Sequence, residues 1–402
     1  VTKKMLDDFT VVDFTHVLAG PHCTKMLAEH GAEVIKIEPT GGEMIRVFPS
    51  LREGRSAHFV QHNIGKKTVA IDITTAEGQK ICHELVKQAD VVVENFAPGV
   101  MKKHNLDWEA LKQLNPDLVM CSISCFGQTG PLSHLPGFDY IGQAYAGIID
   151  LTGERGRPPV FGEYAFGDLS TSTHAYAAIL TALIHRMKGG GGQYLDISLM
   201  EVLFSYHEMN VQLYDTTEGE FVCERSGPFH PLFAPVGIYP CKDRYIFIIG
   251  LNHSWDSLMK IIGREDMLSD PRLADVNGRG KHADEINAAI EAWLGTVEDV
   301  NAAVATLQEK RIPCAPILTI PEVMELEHTK ARGIVRTVSD PVFGEIKIPR
   351  TPLRFSEFPE PPDLQAGTLG EYNHEILSQR LGYTEQQITD LESDGIIAEK
   401  NI

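Results

Sequence analysis

The run DVVVENF at residues 90–96 is short and nearly continuously apolar. A strand without polar alternation is typical of a parallel sheet whose two faces are both covered by helices. Residues 117–125, DLVMCSISC, form a second run of this kind, and residues 10–15 and 33–38 predict two further strands. Helical patterns separate these runs. The alternation therefore predicts βαβ units and an α/β fold with a parallel sheet.

The chain length predicts more than one domain, because 402 residues exceed the usual size of about 100–200 residues per domain. The sequence changes character near Val222, where a segment rich in proline and aromatic residues precedes two predicted strands and three helical patterns. We expect a large domain at residues 1–221 and a smaller α+β domain at residues 222–320. A C-terminal segment, residues 321–402, which contains a proline-rich linker at residues 359–362, should return to the large domain.

Composition limits the partners and the compartment. The net charge of −19 argues against binding to nucleic acid or to an anionic membrane surface. No run reaches the length of about 18 apolar residues that a membrane span needs. The seven cysteines are scattered and odd in number, which favours buried thiols in a reducing cytoplasm. Cys121 and Cys125 lack the paired partners of a zinc site, so we predict no metal.

The first predicted strand and its following turn fit a Rossmann-like domain. Residues 11–15 precede the turn HVLAGP, and Glu38 ends the second strand where a ribose-binding acid would fall. The phosphate-binding pattern G-x-G-x-x-G is absent, because only Gly20 is present. The sequence therefore predicts the fold without the nicotinamide dinucleotide.

Asp168 is a candidate catalytic residue. It lies in FGDLST at residues 166–171, before apolar residues at Ala175, Ile179 and Ala182 that predict a helix beginning near Asp168. Free N–H groups at a helix start should keep its carboxylate ionised at neutral pH. Such a carboxylate can attack an activated carbonyl. The alternative is that Asp168 is only the N-cap, and local sequence by itself favours that alternative.

Several motifs occur together in one order along the chain: VDFT at 12–15, AGP at 19–21, GAEVIKIE at 31–38, VENFAPG at 93–99, GQTGP at 127–131 and GFDY at 137–140. On these motifs the chain resembles, essentially end to end, the class III CoA-transferases. That family includes formyl-CoA transferase, crotonobetainyl-carnitine CoA-transferase and the related alpha-methylacyl-CoA racemases. The resemblance implies an interlocked homodimer in which the active site lies near the subunit interface.

The resemblance also implies a site. Asp168 falls on the family's nucleophile, which would form a mixed anhydride and then an aspartyl-CoA thioester. Residues at the substrate pocket would be Leu18, Phe138 and Asp139. Residues at the CoA would be Val17, Lys36, Asn95, Phe96, Lys102 and Lys103. Coenzyme A thioester would be the substrate, with no tightly bound cofactor. Lys66 and Lys67 are further candidates for the local positive charge that a polyanionic ligand needs in an acidic protein.

Two departures from the family pattern narrow the implied reaction. The racemases carry His beside Asp, whereas this chain has Phe138, which cannot exchange a proton, so we expect a transferase. Leu18 replaces the Gln of formyl-CoA transferase, and the small domain lacks that enzyme's glycine-rich loop. We therefore do not expect formyl-CoA as the donor, and the substrates common in the family suggest succinyl-CoA with a dicarboxylate or hydroxy acid. The alternatives are an acyl-CoA racemase or isomerase, and a catalytically silent CoA-binding subunit of a heteromeric transferase.

Overall fold

The computed structural model describes residues 4–49, 51–358 and 364–400, so the linker predicted at residues 359–362 lies outside the described residues. The strands are β1 (Thr10–Asp13), β2 (Glu33–Glu38), β3 (Leu51–Arg52), β4 (Arg55–Ser56), β5 (Lys66–Ala70), β6 (Val91–Glu94), β7 (Val119–Ser124), β8 (Gln193–Ser198), β9 (Val236–Cys241), β10 (Arg244–Ile249), β11 (Cys314–Pro316), β12 (Val335–Asp340) and β13 (Gly344–Pro349).

The helices are α1 (Ala19–Glu29), α2 (Ala57–Asn63), α3 (Ala76–Val86), α4 (Val100–Lys103), α5 (Trp108–Leu114), α6 (Asp139–Tyr145), α7 (Phe166–Met187), α8 (Leu199–Ser205), α9 (Asn210–Thr216), α10 (Trp255–Ile261), α11 (Val276–Lys281), α12 (Ala283–Leu294), α13 (Val300–Glu309), α14 (Ile320–Glu325), α15 (Glu327–Arg332), α16 (Asn373–Glu375) and α17 (Glu385–Ser393). Within the described ranges, none of these helices is both long and apolar enough to cross a bilayer.

The large unit contains a six-stranded parallel sheet in the order β5-β2-β1-β6-β7-β8. Numbered along the chain within this sheet, the order is 3-2-1-4-5-6, which is the doubly wound Rossmann order. The predicted Rossmann-like large domain with a parallel sheet is therefore confirmed. The strand order reverses between β1 and β6, and a crevice opens at the carboxyl ends of strands at such a point.

Helices cover both faces of this sheet, which explains the apolar runs. Val12 and Val92 lie in a core cluster with residues of α3 and of the C-terminal helices. Val11 and Val93, their neighbours in sequence, lie in a second cluster with residues of α1 and α7. All four side chains are fully buried. Because successive strand residues point to opposite faces, two covered faces require apolar residues at every position.

The helix predicted after Asp168 is α7, which is 22 residues long and buries Ala175, Ile179 and Ala182. The structure starts it at Phe166, two residues earlier than the pattern suggested, and its N-cap is Ala165. Asp168 is therefore the third residue of the helix, and the interpretation that it serves as the N-cap is wrong. The carboxylate is free for another role.

The second compact unit comprises residues 147–163 and 207–327. Its antiparallel sheet has the order β11-β10-β9, and the core around Tyr239, Ile246 and Trp255 packs helices against it. The sequence predicted a start at residue 222, where strand signals begin. The unit also includes α9 and residues 147–163, which contact later residues through the ion pair Arg225–Asp150. The composition changes near the strands of this unit, whereas the extent of the unit is set by contacts between residues distant in sequence. The observed unit therefore begins before residue 222.

The C-terminal segment packs on the large unit. Residues from His328 onward cluster with the first 146 residues. Ile397 forms a bridge with Ile71, and the Asn373 side chain accepts a hydrogen bond from the Ala70 N–H at 2.9 Å. The edge strand β5 is thereby covered, which protects its unpaired backbone groups.

Candidate active site

A cavity of about 240 Å³ opens in the large unit where the strand order reverses. Its wall includes residues 16–19, which follow β1, and Asn95, which follows β6. Asp168 and Phe138 complete the wall from the starts of α7 and α6. The structure thus brings the predicted nucleophile together with the predicted pocket residues Leu18 and Phe138.

The turn that follows β1 is held by the side chain of Asn95. Its Oδ1 accepts from the His16 N–H at 2.8 Å, and its Nδ2 donates to the His16 carbonyl at 2.8 Å. The same turn is fixed earlier by Asp13, whose Oδ1 accepts from the N–H of Thr15 at 2.9 Å. Asn95 was predicted to contact CoA. In this structure both ends of its amide are used to connect the ends of β1 and β6.

Lys36 lies beneath this turn and is fully buried. Its Nζ is 2.7 Å from Glu43 Oε1 and donates to the Thr15 carbonyl at 2.7 Å. Burial alone would lower the pKa of Lys36, but the carboxylates of Glu43 and Asp13 outweigh it and raise that pKa. Lys36 was predicted to meet CoA phosphate. The structure encloses it in protein and places it among groups that support the turn.

Asp139 holds the first turn of α7. Its Oδ2 accepts from the Asp168 N–H at 2.7 Å, and its Oδ1 accepts from Gln143 Nε2 at 2.5 Å. Asp139 is 5% exposed. Gly167 lies so close that a Cβ there would be 3.1 Å from Asp139 Oδ2. Asp139 was predicted to lie at the pocket, and its contacts show that it orients the backbone of Asp168.

The Asp168 carboxyl has an unusual environment for an acid. Burial, followed by the nearby charge of Asp139, raises its pKa to about 7. The expectation that the helix start keeps it fully ionised at neutral pH is therefore wrong. Its own N–H, which could have stabilised the negative charge, is taken by Asp139, and partial burial removes solvent. A carboxylate that is poorly solvated in this way is a stronger nucleophile than one in water.

Ser172 couples α7 to the turn after β1. Its Oγ lies 2.6 Å from the Ala19 carbonyl and 2.7 Å from the Asp168 carbonyl. Ser172 is buried and lies one helical turn after Asp168. The sequence analysis missed Ser172, as it missed Glu43 and Gln143. The available signal for Ser172 was a hydroxyl four residues after Asp168, hence on the same helix face.

A second cavity, of about 410 Å³, adjoins the same strand ends. His16 lines both cavities, and the Phe96 ring packs edge-on against the His16 ring at 5.0 Å between centroids. Val100 and His104 line its far side, on and just after α4. Lys102 and Lys103 are exposed in this short helix. Of the predicted CoA residues, Phe96 lines this second cavity, and Val17 and Asn95 line the first. Lys102 and Lys103 lie on the same short helix as Val100, and Lys36 is buried beneath the turn.

A family model described as CoA-transferase family III matches residues 6–373. The succinyl-CoA–D-citramalate CoA-transferase of Chloroflexus aurantiacus is 37% identical over 402 residues, which cover 98% of this chain and 98% of that protein. The formyl-CoA:oxalate CoA-transferase of Escherichia coli O157:H7 is 32% identical over 417 residues, with 98% and 99% covered.

A solved structure is similar over the same extent. The crystal structure of a CAIB/BAIF family protein from Brucella suis superposes with a TM-score of 0.82 at 32% identity. It covers 94% of this chain and 100% of that chain. The agreement extends through both compact units of the chain.

Proposed function

Because the chain belongs to CoA-transferase family III, as its resemblance predicted, we propose that it moves CoA from an acyl-CoA to a carboxylic acid through Asp168. The observation that carries this proposal is the placement of the Asp168 carboxylate. It lies in a cavity at the reversal of strand order, next to a second cavity large enough for part of a cofactor-sized ligand. Among the described residues, no lysine or arginine lines the cavity that contains Asp168.

The proposed reaction passes CoA through the protein. An Asp168 oxygen attacks the thioester carbonyl, the carbon–sulfur bond breaks, and a mixed anhydride and CoA thiolate form. The thiolate attacks the Asp168 carbonyl and releases the donor acid, leaving an aspartyl-CoA thioester. The acceptor carboxylate attacks this thioester, the carbon–sulfur bond breaks, and a second mixed anhydride forms between the acceptor and Asp168. The released thiolate attacks the acceptor carbonyl of this anhydride, which gives the acceptor CoA thioester and restores the Asp168 carboxylate. Each step is covalent, so the thioester free energy is retained rather than lost to water.

Each attack generates an oxyanion that needs hydrogen-bond donors. The start of α1 supplies candidates, because the first N–H groups of a helix have no acceptor within the helix. Leu18 and Ala19, at this helix start, line the same cavity as Asp168. We propose that their N–H groups stabilise the oxyanion.

We propose that the second cavity receives the CoA moiety, with Phe96 at its wall. Burial, followed by the charge of Lys36, lowers the pKa of His16, so a neutral imidazole stands at the junction of the two cavities. Val100 lines this cavity and belongs to the same short helix as Lys102 and Lys103, and we propose that these two lysines meet CoA phosphates at the rim. This local charge would offset the −19 of the whole chain.

The substrates that we propose are succinyl-CoA as donor and a dicarboxylate or hydroxy acid as acceptor. The relative from Chloroflexus aurantiacus, named for succinyl-CoA and D-citramalate, supports this choice. The apolar side chain of Leu18, which is 8% exposed in the cavity wall, supports it over a formyl donor that would need a polar contact.

The test uses hydroxylamine with succinyl-CoA, since hydroxylamine captures an acyl-aspartate or aspartyl-CoA as a hydroxamate. Mass spectrometry of wild type should find the modification at Asp168. Asp168→Ala should retain acyl-CoA binding and lose at least about 1,000-fold in transfer, because the covalent route is removed. Asp284→Ala, which removes an exposed aspartate from the first turn of α12, is the matched control. Substantial transfer by Asp168→Ala would refute the proposal.

A further inference from the structure

Val17 has a backbone conformation that its side chain disfavours. Its φ is 67°, in the left-handed region. A β-branched residue is a clear outlier there, because its Cβ crowds the backbone. Such a conformation persists only where neighbouring groups hold it, and it is often found at functional sites. Val17 lines the cavity that contains Asp168.

One side chain holds this residue directly. Glu43 Oε2 accepts the Val17 N–H at 2.7 Å, and the other oxygen of Glu43 lies 2.7 Å from Lys36 Nζ. Glu43 is 3% exposed, so the charge of Lys36 and the N–H of Val17 replace water at its carboxylate. Lys36 also donates to the Thr15 carbonyl, so the Lys36–Glu43 pair contacts the turn through two hydrogen bonds, one at Thr15 and one at Val17.

The residues on either side of Val17 are anchored separately. His16 is bound on both backbone groups by Asn95, and the Ala19 carbonyl is bound by Ser172. The turn is also tight, since a Cβ added to Gly20 would lie 2.3 Å from the Thr15 side chain. Val17 thus connects the anchored end of β1 to the anchored start of α1. Its φ sets the direction of the backbone that continues through Leu18 and Ala19.

We propose that Glu43 is a positioning residue of the active site. It keeps Val17 in the left-handed conformation and so directs the first N–H groups of α1 toward the reacting carbonyl. The inference rests on the proposed function for its catalytic consequence. Its structural content, that Glu43 holds the Val17 conformation, stands on the contacts alone.

The test is a double-mutant cycle of Glu43→Gln and Val17→Gly. Glycine adopts positive φ without cost, so a turn with glycine at this position should need Glu43 less. In the wild-type background, Glu43→Gln should reduce kcat for CoA transfer by about tenfold to a hundredfold, as expected for misplacement of catalytic groups by about 1 Å. In the Val17→Gly background, the same substitution should reduce kcat by less than about threefold, because little strain remains to be held.

Glu29→Gln is the matched control, because Glu29 is also buried and paired with a lysine, Lys25 at 3.6 Å, yet has no contact with the turn. It should cause the same small change in both backgrounds. A merely structural role for Glu43 predicts equal losses of kcat in the wild-type and Val17→Gly backgrounds, and that result would overturn the inference.

Amide hydrogen exchange without substrate separates this inference from the proposed function. In the wild-type background, Glu43→Gln should speed exchange in the peptide covering residues 16–20 by at least about threefold, since a carboxylate accepts more strongly than an amide. If wild type shows no CoA transfer but exchange accelerates in the variant, the proposed function fails and the role of Glu43 stands. If exchange is unchanged, the role of Glu43 is wrong whatever the activity.

Discussion

The acid–base state of Asp168 follows from its neighbours more than from its position in a helix. A helix start favours a charged carboxylate by a modest amount, whereas loss of solvent and a second carboxylate both oppose the charge. The result is a pKa near neutrality, in place of the ordinary value of 3.8. Asp139 orients the backbone of Asp168 by accepting its N–H. The charge of Asp139 also reduces the fraction of Asp168 that is ionised at neutral pH.

This environment predicts a pH profile. In the proposed reaction the ionised Asp168 carboxylate is the nucleophile, so kcat/KM for acyl-CoA should rise about tenfold per pH unit below pH 7 and level off above it. Asp139→Asn removes the second cause of the raised pKa and keeps an acceptor for the Asp168 N–H. The midpoint of the pH profile of this variant should therefore move to lower pH. It should stay above 3.8, because burial is the larger cause of the raised pKa of Asp168.

Asp196→Asn is the control for that profile, since Asp196 is an aspartate of β8 that is not among the causes of the raised pKa of Asp168. Its midpoint should match that of wild type. An unchanged midpoint in Asp139→Asn would show that the charge of Asp139 has no part in the titration.

At the level of secondary-structure elements, the contact between α1 and α7 decides how Asp168 faces the turn after β1. Each helix packs on the same face of the sheet through apolar residues such as Cys23 and Ala175. Apolar packing is tolerant of small shifts, whereas a hydrogen bond is directional. Ser172 provides such a directional contact between the two helices. Its hydroxyl lies within 2.7 Å of the Ala19 carbonyl on α1 and of the Asp168 carbonyl on α7.

Ser172→Ala should therefore cost more in catalysis than in stability. Loss of a buried hydrogen bond should lower the free energy of unfolding by about 1–2 kcal/mol. Loosening of the helix contact should reduce kcat by about tenfold or more. Thr173→Ala is the matched control, since its exposed hydroxyl binds only the Leu169 carbonyl at 3.1 Å within α7. Equal kcat values for the two variants would contradict this role, and urea unfolding gives the stability term.

We expect the phosphates of CoA to bind at the two lysines of helix α4. Lys102→Ala with Lys103→Ala should weaken acyl-CoA binding by about tenfold while kcat changes little, because these charges act equally on bound substrate and transition state. The difference from wild type should shrink in high salt. Lys80→Ala with Lys87→Ala, on and after α3, removes the same charge from another exposed surface. Calorimetric affinities that fall equally in both double variants would exclude a specific contact.

The whole molecule leaves many large apolar side chains exposed in the described residues. Met187 is 73% exposed, Tyr164 67% and Tyr214 57%. Where such side chains form a contiguous patch, a partner usually covers it. We expect a homodimer, whose mass by light scattering should be twice 44.5 kDa and should persist in high salt, because apolar burial is not screened. A mass of one chain at micromolar concentration would contradict this expectation.

The parallel sheet and the helix that contains Asp168 could be predicted from local patterns. The apolar run at residues 91–93 and the 3.6-residue pattern of α7 follow from burial and periodicity, which are properties of neighbouring residues in sequence. The family motifs added Asp168, Phe138 and the turn at residues 16–18. These features need no knowledge of which distant residues meet.

The tertiary structure alone decided the electrostatic roles. Lys36 and Asn95 have residue types that suit phosphates and polar groups. Folding buries Lys36 completely, whereas Asn95 lines the cavity while its amide also bonds the His16 backbone. Glu43 and Ser172 gave no distinctive pattern, because their partners lie 26 and 153 residues away. Burial and charge pairing depend on three-dimensional proximity, and it is proximity to Asp139 together with desolvation that sets the pKa of Asp168.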